Sequence, residues 1–169
     1  IGRVVEILGG VDDPGMEVEI AVRKFDVPWQ FSAEALALAE QLPEQIRRAD
    51  LKGRVDLRDL PFMTIDGEDA RDFDDAVYAE PAGTARRAST RLLVAIADVG
   101  HYVHSGDALD HDAYERATSV YFPRRVIPML PEKLSNGLCS LNPNVERLVL
   151  VCDMVVSAAG KVTAYQFYE

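Results

Sequence analysis

Thr64-Ile65-Asp66-Gly67-Glu68-Asp69-Ala70-Arg71-Asp72-Phe73-Asp74-Asp75-Ala76-Val77 is the stretch on which the reading of this chain turns. From Asp66 to Asp75, six of ten residues are carboxylates and only Arg71 opposes them. Apolar residues run into the cluster from both sides: Met63 and Ile65 before it, Ala76-Val77-Tyr78 after it. Both flanks have strand character, so the carboxylates crowd at one end of a sheet. A solvated acidic loop has no use for such flanks, nor for Phe73 in its middle. Like charges this close repel, and folding is costly unless a cation offsets them. All-oxygen donors select hard cations, Mg²⁺, Mn²⁺ or Ca²⁺, over zinc. A calcium loop counted from Asp72 needs Gly at Val77 and Glu at Gly83, so it fits badly. Mg²⁺ suits better, because it accepts a few carboxylates and keeps positions for water and phosphate.

Outward from the cluster, Leu92–Ala97 is apolar at every position, the pattern of a strand covered on both sides. Pro81–Thr90, with Gly83 and Arg86-Arg87, reads as a surface hairpin loop. Leu148–Val156 and Val162–Tyr168 flank Ala158-Ala159-Gly160 and predict a second hairpin. Asp107 can cap a helix with Leu109, Ala113 and Ala117 inward, and a short helix is expected over Glu132–Gly137. Upstream, Ser32 can cap a helix carrying Ala35, Leu38, Leu42 and Ile46, kinked or split at Pro43. Arg3–Leu8 and Met16–Val22 read as strands, the latter from its alternating Met16, Val18, Ile20 and Val22. A lone strand is not stable, so residues 1–8 are expected to complete a sheet begun upstream. The fold class is α+β, with a mostly antiparallel sheet and flanking helices.

Composition limits the function. The chain has 169 residues, 48% hydrophobic and 27% charged, which is globular rather than disordered. Its longest apolar run is far short of a membrane span, so no membrane partner is expected. Net charge is −10, with 28 acidic and 18 basic residues, against the basic surface of a nucleic-acid binder. A local cation site is compatible with that charge. Cys139 and Cys152 form no CxxC pattern, and free thiols point to the cytoplasm. The start, Ile1-Gly2-Arg3, has neither Met nor a signal-peptide layout and reads as a cut inside a longer protein.

The acidic stretch resembles the signature of the ribonuclease II/ribonuclease R family in its RNB catalytic domain, nearest the ribonuclease R branch. Val94-Ala95-Ile96-Ala97-Asp98-Val99, Thr118-Ser119-Val120-Tyr121-Phe122-Pro123, Ile127-Pro128-Met129-Leu130-Pro131 and Leu134-Ser135-Asn136-Gly137-Leu138-Cys139-Ser140-Leu141-Asn142-Pro143 resemble further family blocks, in order. The resemblance implies residues 1–24 as the end of a cold-shock domain of OB type (its last strand or strands), 25–49 as a helical connector, and 50–169 as the N-terminal portion of the RNB domain. It implies a processive, hydrolytic 3′→5′ exoribonuclease that uses Mg²⁺, with Mn²⁺ as substitute, takes the 3′ end of single-stranded RNA and releases nucleoside monophosphates. By the same resemblance the metal site is Asp66, Asp72, Asp74 and Asp75. Asp66 and Asp75 are direct ligands, Asp72 supports the site, and Asp74 positions the attacking water and scissile phosphate. Asp72 and Asp74 are the catalytic pair, and Tyr121 stacks on nucleotides near the 3′ end. The family's assisting arginine and its C-terminal OB-fold belong to later parts of the parent chain, which are therefore expected partners, and residues 1–169 alone are expected to be inactive or nearly so. The alternatives are a catalytically silent RNB-like module that binds RNA or protein, and a Mg²⁺-dependent DNA nuclease.

Other polar residues have bland readings. Tyr102-Val103 looks strand-like, which sets His101 and His104 on opposite faces and against a metal pair. Asp98 could reach the aspartate cluster or serve a structural bond. Asp153, mid-strand, needs a buried partner. Arg124 and Arg125 read as surface arginines or phosphate contacts, and the two cysteines as core thiols.

Overall fold

Two antiparallel hairpins set side by side make the main sheet. The computed structural model describes residues 2–68, 70–84 and 87–169. Strand β1 (Asp75–Thr84) pairs with β2 (Arg87–Ala97), β2 with β5 (Val149–Ser157), and β5 with β6 (Val162–Tyr168), all antiparallel, in the order β1-β2-β5-β6. The surface loop expected over Pro81–Thr90 is instead mostly strand, with Pro81 opposite Thr90. Pro81 fits because β1 is an edge strand, where a missing N–H costs no ladder bond. Arg86, which that expectation included, lies outside the described residues.

Leu93, Ala95 and Val151 face a core closed by Leu57, Leu60, Phe62, Tyr78, Val149 and Tyr168. The opposite face is not covered as expected: Ile96, Leu150, Tyr165 and Phe167 are exposed there. One all-apolar strand can thus have a buried face and an open one, which its composition does not distinguish.

A second core forms where α2 (Ala33–Gln41) and α3 (Ala108–Arg116) pack with the turn Lys133–Leu138 around Leu109, Leu134 and Leu138. Ser32 caps α2 by accepting from Ala35 N at 3.1 Å, and its own N–H donates to Asp112 on α3 at 2.7 Å. The helix stops at Gln41, and Leu42, before Pro43, has turned extended. A separate short turn follows at Arg48–Leu51. Asp107 caps α3 through Asp110 N at 2.8 Å. Ala117, expected inward, instead ends the helix in the left-handed region, and Arg116 takes the buried position with its guanidinium 3.6 Å over the Phe31 ring.

Two expected strands are corrected. Met16–Lys24 is helix α1: its alternation also contains the helical pairs Met16/Ile20 and Val18/Val22. Glu17 and Glu19 in its first turn and Arg23 and Lys24 in its last suit the helix dipole. The partners expected for residues 1–8 are upstream of them; among the described residues, 2–10 pair with no strand, and Val4, Val5 and Ile7 are exposed. Val99–His101 forms a helical turn where Tyr102-Val103 suggested a strand. The short hairpin β3 (Val120–Phe122) and β4 (Arg125–Ile127) stands apart from the main sheet.

Candidate metal centre

The acidic loop is pinned at its two ends by the sheet. Met63 and Val77 exchange backbone bonds of 3.0 and 2.8 Å, and Asp74 O accepts from Ala97 N at 2.9 Å. Between these points Ala70 N donates to Gly67 O at 3.0 Å and turns the chain back. Asp66 is thereby returned to the head of β1. One carboxylate oxygen from each of Asp66, Asp74 and Asp75 lies within 4.8 Å of the others. All three residues are exposed. Among the described residues, none of the three is in a salt bridge with Lys or Arg. Three open carboxylates with no protein cation fit a hard divalent ion that retains water and can accept a phosphate oxygen.

Asp72 lies outside this trio. Its Oδ2 accepts a short hydrogen bond from the Tyr121 hydroxyl, brought in by the β3–β4 hairpin. That bond, then burial, then the charges of Asp72 and Asp74 push the Tyr121 hydroxyl up to about 12. Tyr121 nevertheless remains 61% exposed, so its ring can meet a planar partner. Asp69 lies outside the described residues.

The remaining candidates are placed elsewhere. Asp98 pairs with Arg54 at 2.5 Å and is not among the carboxylates that converge. Asp153 is bound by Arg91 through two bonds of 3.0 and 2.7 Å. His101 faces Asp50 at 3.5 Å, while His104 is exposed. Arg125 pairs with Glu19 on α1. Cys139 is a buried core thiol and Cys152 is half-buried, both free.

One contributor was not singled out from sequence. Ser140 is fully buried; its Oγ donates to Arg71 O at 2.7 Å and accepts from Phe73 N at 3.2 Å. Leu141 N adds a bond of 2.7 Å to Phe73 O. A serine far along the chain from the loop it holds carries no local signal.

Comparison with known proteins gives a consistent frame. The RNB domain profile matches residues 54–169 and a cold shock domain profile matches residues 1–32. Ribonuclease R of Escherichia coli (strain K12) is 55% identical over 173 residues, an alignment covering 100% of this chain and 20% of that protein. Ribonuclease R of Acidithiobacillus ferrooxidans is 58% identical over 166 residues, covering 98% of this chain and 37% of the relative. The chain thus spans about a fifth of the length of the first relative and just over a third of the second. Mycoplasma genitalium RNase R, solved in complex with double-stranded RNA, superposes with a TM-score of 0.85 at 34% identity, covering 96% of this chain and 28% of that one. Yeast Ssd1, a pseudonuclease, superposes with a TM-score of 0.71 at 18% identity, which shows a shared fold alone.

Proposed function

The chain belongs to the RNB domain family, and on that premise we propose that it carries the metal-binding part of a processive, hydrolytic 3′→5′ exoribonuclease that degrades RNA to nucleoside monophosphates. The observation that carries this reading is the convergence of Asp66, Asp74 and Asp75. In this reading residues 1–24 end a cold-shock domain, 25–49 connect, and 50–169 begin the RNB domain.

Asp66 and Asp75 hold the cation, with Mg²⁺ as resident and Mn²⁺ as substitute. Such an ion, when bound, lowers the pKa of water and offsets negative charge on a phosphodiester. Asp74, beside them at the sheet end, orients the attacking water and the scissile phosphate. Asp72, turned toward Tyr121 by their hydrogen bond, supports the site. The open Tyr121 ring stacks on a base near the 3′ end of single-stranded RNA; stacking tolerates any sequence because every base has a π-face.

The rest of the parent chain is the proposed cover of the open sheet face, where Tyr165 and Phe167 are 69% and 63% exposed. It also supplies the positive groups that phosphoryl chemistry needs against developing charge. Residues 1–169 alone therefore have little or no turnover. Among the described residues no helix is long and apolar enough to cross a membrane. With free thiols, the cytoplasm is the proposed compartment.

The test uses single-stranded RNA labelled at its 5′ end, Mg²⁺ and the full-length protein. A ladder shortening from the 3′ end, release of monophosphates, and loss of both in Asp74→Asn are expected. Binding without cleavage by the unmodified protein would instead establish the silent module. Equal cleavage of a deoxy-oligonucleotide of the same length would show that 2′-OH contacts do not select the substrate.

A further inference from the structure

We infer that Ser140 is a positioning residue of the metal centre, acting through the backbone on either side of Asp72; this rests on reading Asp66, Asp74 and Asp75 as the metal ligands. Among the described residues between Met63 and the start of β1, the loop bearing Asp66 and Asp74 has no helix or strand. Mutual repulsion of the carboxylates pushes it to spread. Something must hold it closed before a cation arrives.

Ser140 supplies that restraint from the core. Its carbonyl accepts from Arg147 Nε at 2.7 Å. It follows the turn Lys133–Leu138, which is rooted in the second core by Leu134 and Leu138, 0% and 3% exposed. Cys139 N closes this turn on Leu134 O at 2.9 Å. From that rigid base the hydroxyl both donates and accepts, binding Arg71 O and Phe73 N together. The Leu141 N–H to Phe73 O bond extends the contact into a short ladder. Asp72 lies at its centre, and Asp74 follows Phe73 directly. Alanine at 140 leaves one carbonyl and one N–H without their partners, and the neighbours of Asp72 and Asp74 without their fixed point.

Groups that orient ligands commonly change metal affinity 10- to 100-fold when removed. The test is Mn²⁺ binding to the full-length protein, followed by electron paramagnetic resonance without substrate. Ser140→Ala is expected to weaken binding about 10- to 100-fold. Asp75→Asn should abolish it, and Val22→Ala, a cut at a fully buried side chain of α1 outside both cores, should leave it unchanged. Wild-type affinity in Ser140→Ala, or equal weakening in Val22→Ala, overturns the positioning role and leaves the metal reading intact. Absence of Mn²⁺ binding by the unmodified protein overturns the metal reading itself. If circular dichroism shows Ser140→Ala unfolded, Ser140→Cys keeps a side chain of similar shape with a weaker donor, and the same results decide.

Discussion

Asp153→Ala separates a structural carboxylate from a catalytic one within the same sheet. Asp153 has a side chain only 8% exposed, and Arg91 grips it through Nε and Nη2 at 3.0 and 2.7 Å. Tyr168 and Gln166 add longer bonds of 3.3 and 3.4 Å. Breaking a fully buried pair by removing one partner costs about 3–5 kcal/mol. Here Arg91 is 36% exposed and retains Glu80 at 2.9 Å, so about 2 kcal/mol is expected. That corresponds to a roughly 30-fold faster exchange of the protected amides of β2 and β5 if they exchange by opening of this region. Hydrogen exchange by mass spectrometry on the full-length protein measures it. The sign with pH follows from the Arg91 hydrogen bonds, which hold the Asp153 carboxyl below its ordinary value against the opposing effect of burial. The stabilisation is fully present above the unfolded value of about 4 and is lost as pH falls through the depressed folded value. The difference between variant and wild type should therefore shrink as pH is lowered from 5 toward 3. Exchange changed less than threefold at pH 7, or a gap constant across that range, would refute the argument. So would loss of Mn²⁺ binding with the sheet intact, because it would make Asp153 part of the site.

Three further outcomes are expected. In an Asp74→Asn background, Tyr121→Ala should weaken binding of an RNA 3′ end by about 5- to 150-fold, the equivalent of one stacked base at 1–3 kcal/mol, whereas Tyr121→Phe keeps the ring and stays within a few fold; fluorescence anisotropy distinguishes them. Asp66→Asn and Asp75→Asn should each raise the metal-free melting temperature by relieving repulsion and erase the gain that wild type shows on adding Mg²⁺, which is about 1.4 kcal/mol at ten times Kd; calorimetry with and without the ion checks both. Burial pushes the Cys139 thiol up to about 12, so iodoacetamide at pH 8 should leave Cys139 unmodified in the native protein and alkylate it after unfolding, as read by peptide mass spectrometry.

The parts of this molecule legible in the sequence are those whose signals are local. The β5–β6 hairpin has its turn residues between two apolar runs, and Ser32 and Asp107 announce their helices by capping chemistry. The acidic cluster was legible for the same reason: its carboxylates lie within ten residues, and of the four that the resemblance implied, Asp66, Asp72, Asp74 and Asp75, all but Asp72 converge. Readings failed where one pattern serves two structures. Met16–Val22 alternates like a strand but also holds apolar pairs four apart, and with no partner strand among the described residues the helix wins. Leu92–Ala97 does not say which face is open, because burial of a strand is set by what packs on it.

The contacts that escaped the sequence reading act across long separations, and this decides what the fold can and cannot establish about chemistry. Ser140 holds a loop whose bonded residues stand 69 and 67 positions earlier, and Tyr121 reaches Asp72 across 49. Such contacts tie the acidic loop to the second core, so the proposed metal centre depends on Leu134 and Leu138 as well as on its carboxylates. The sheet alone does not impose that dependence, since the same architecture occurs in nucleases and in a pseudonuclease. Activity must therefore be argued from side chains rather than from strand order. In this chain the carboxylates are present, the loop bearing them is tied on both sides of Asp72, and an aromatic ring stands open beside them. A loop with no work to do with a cation would gain stability by losing any one of the three charges.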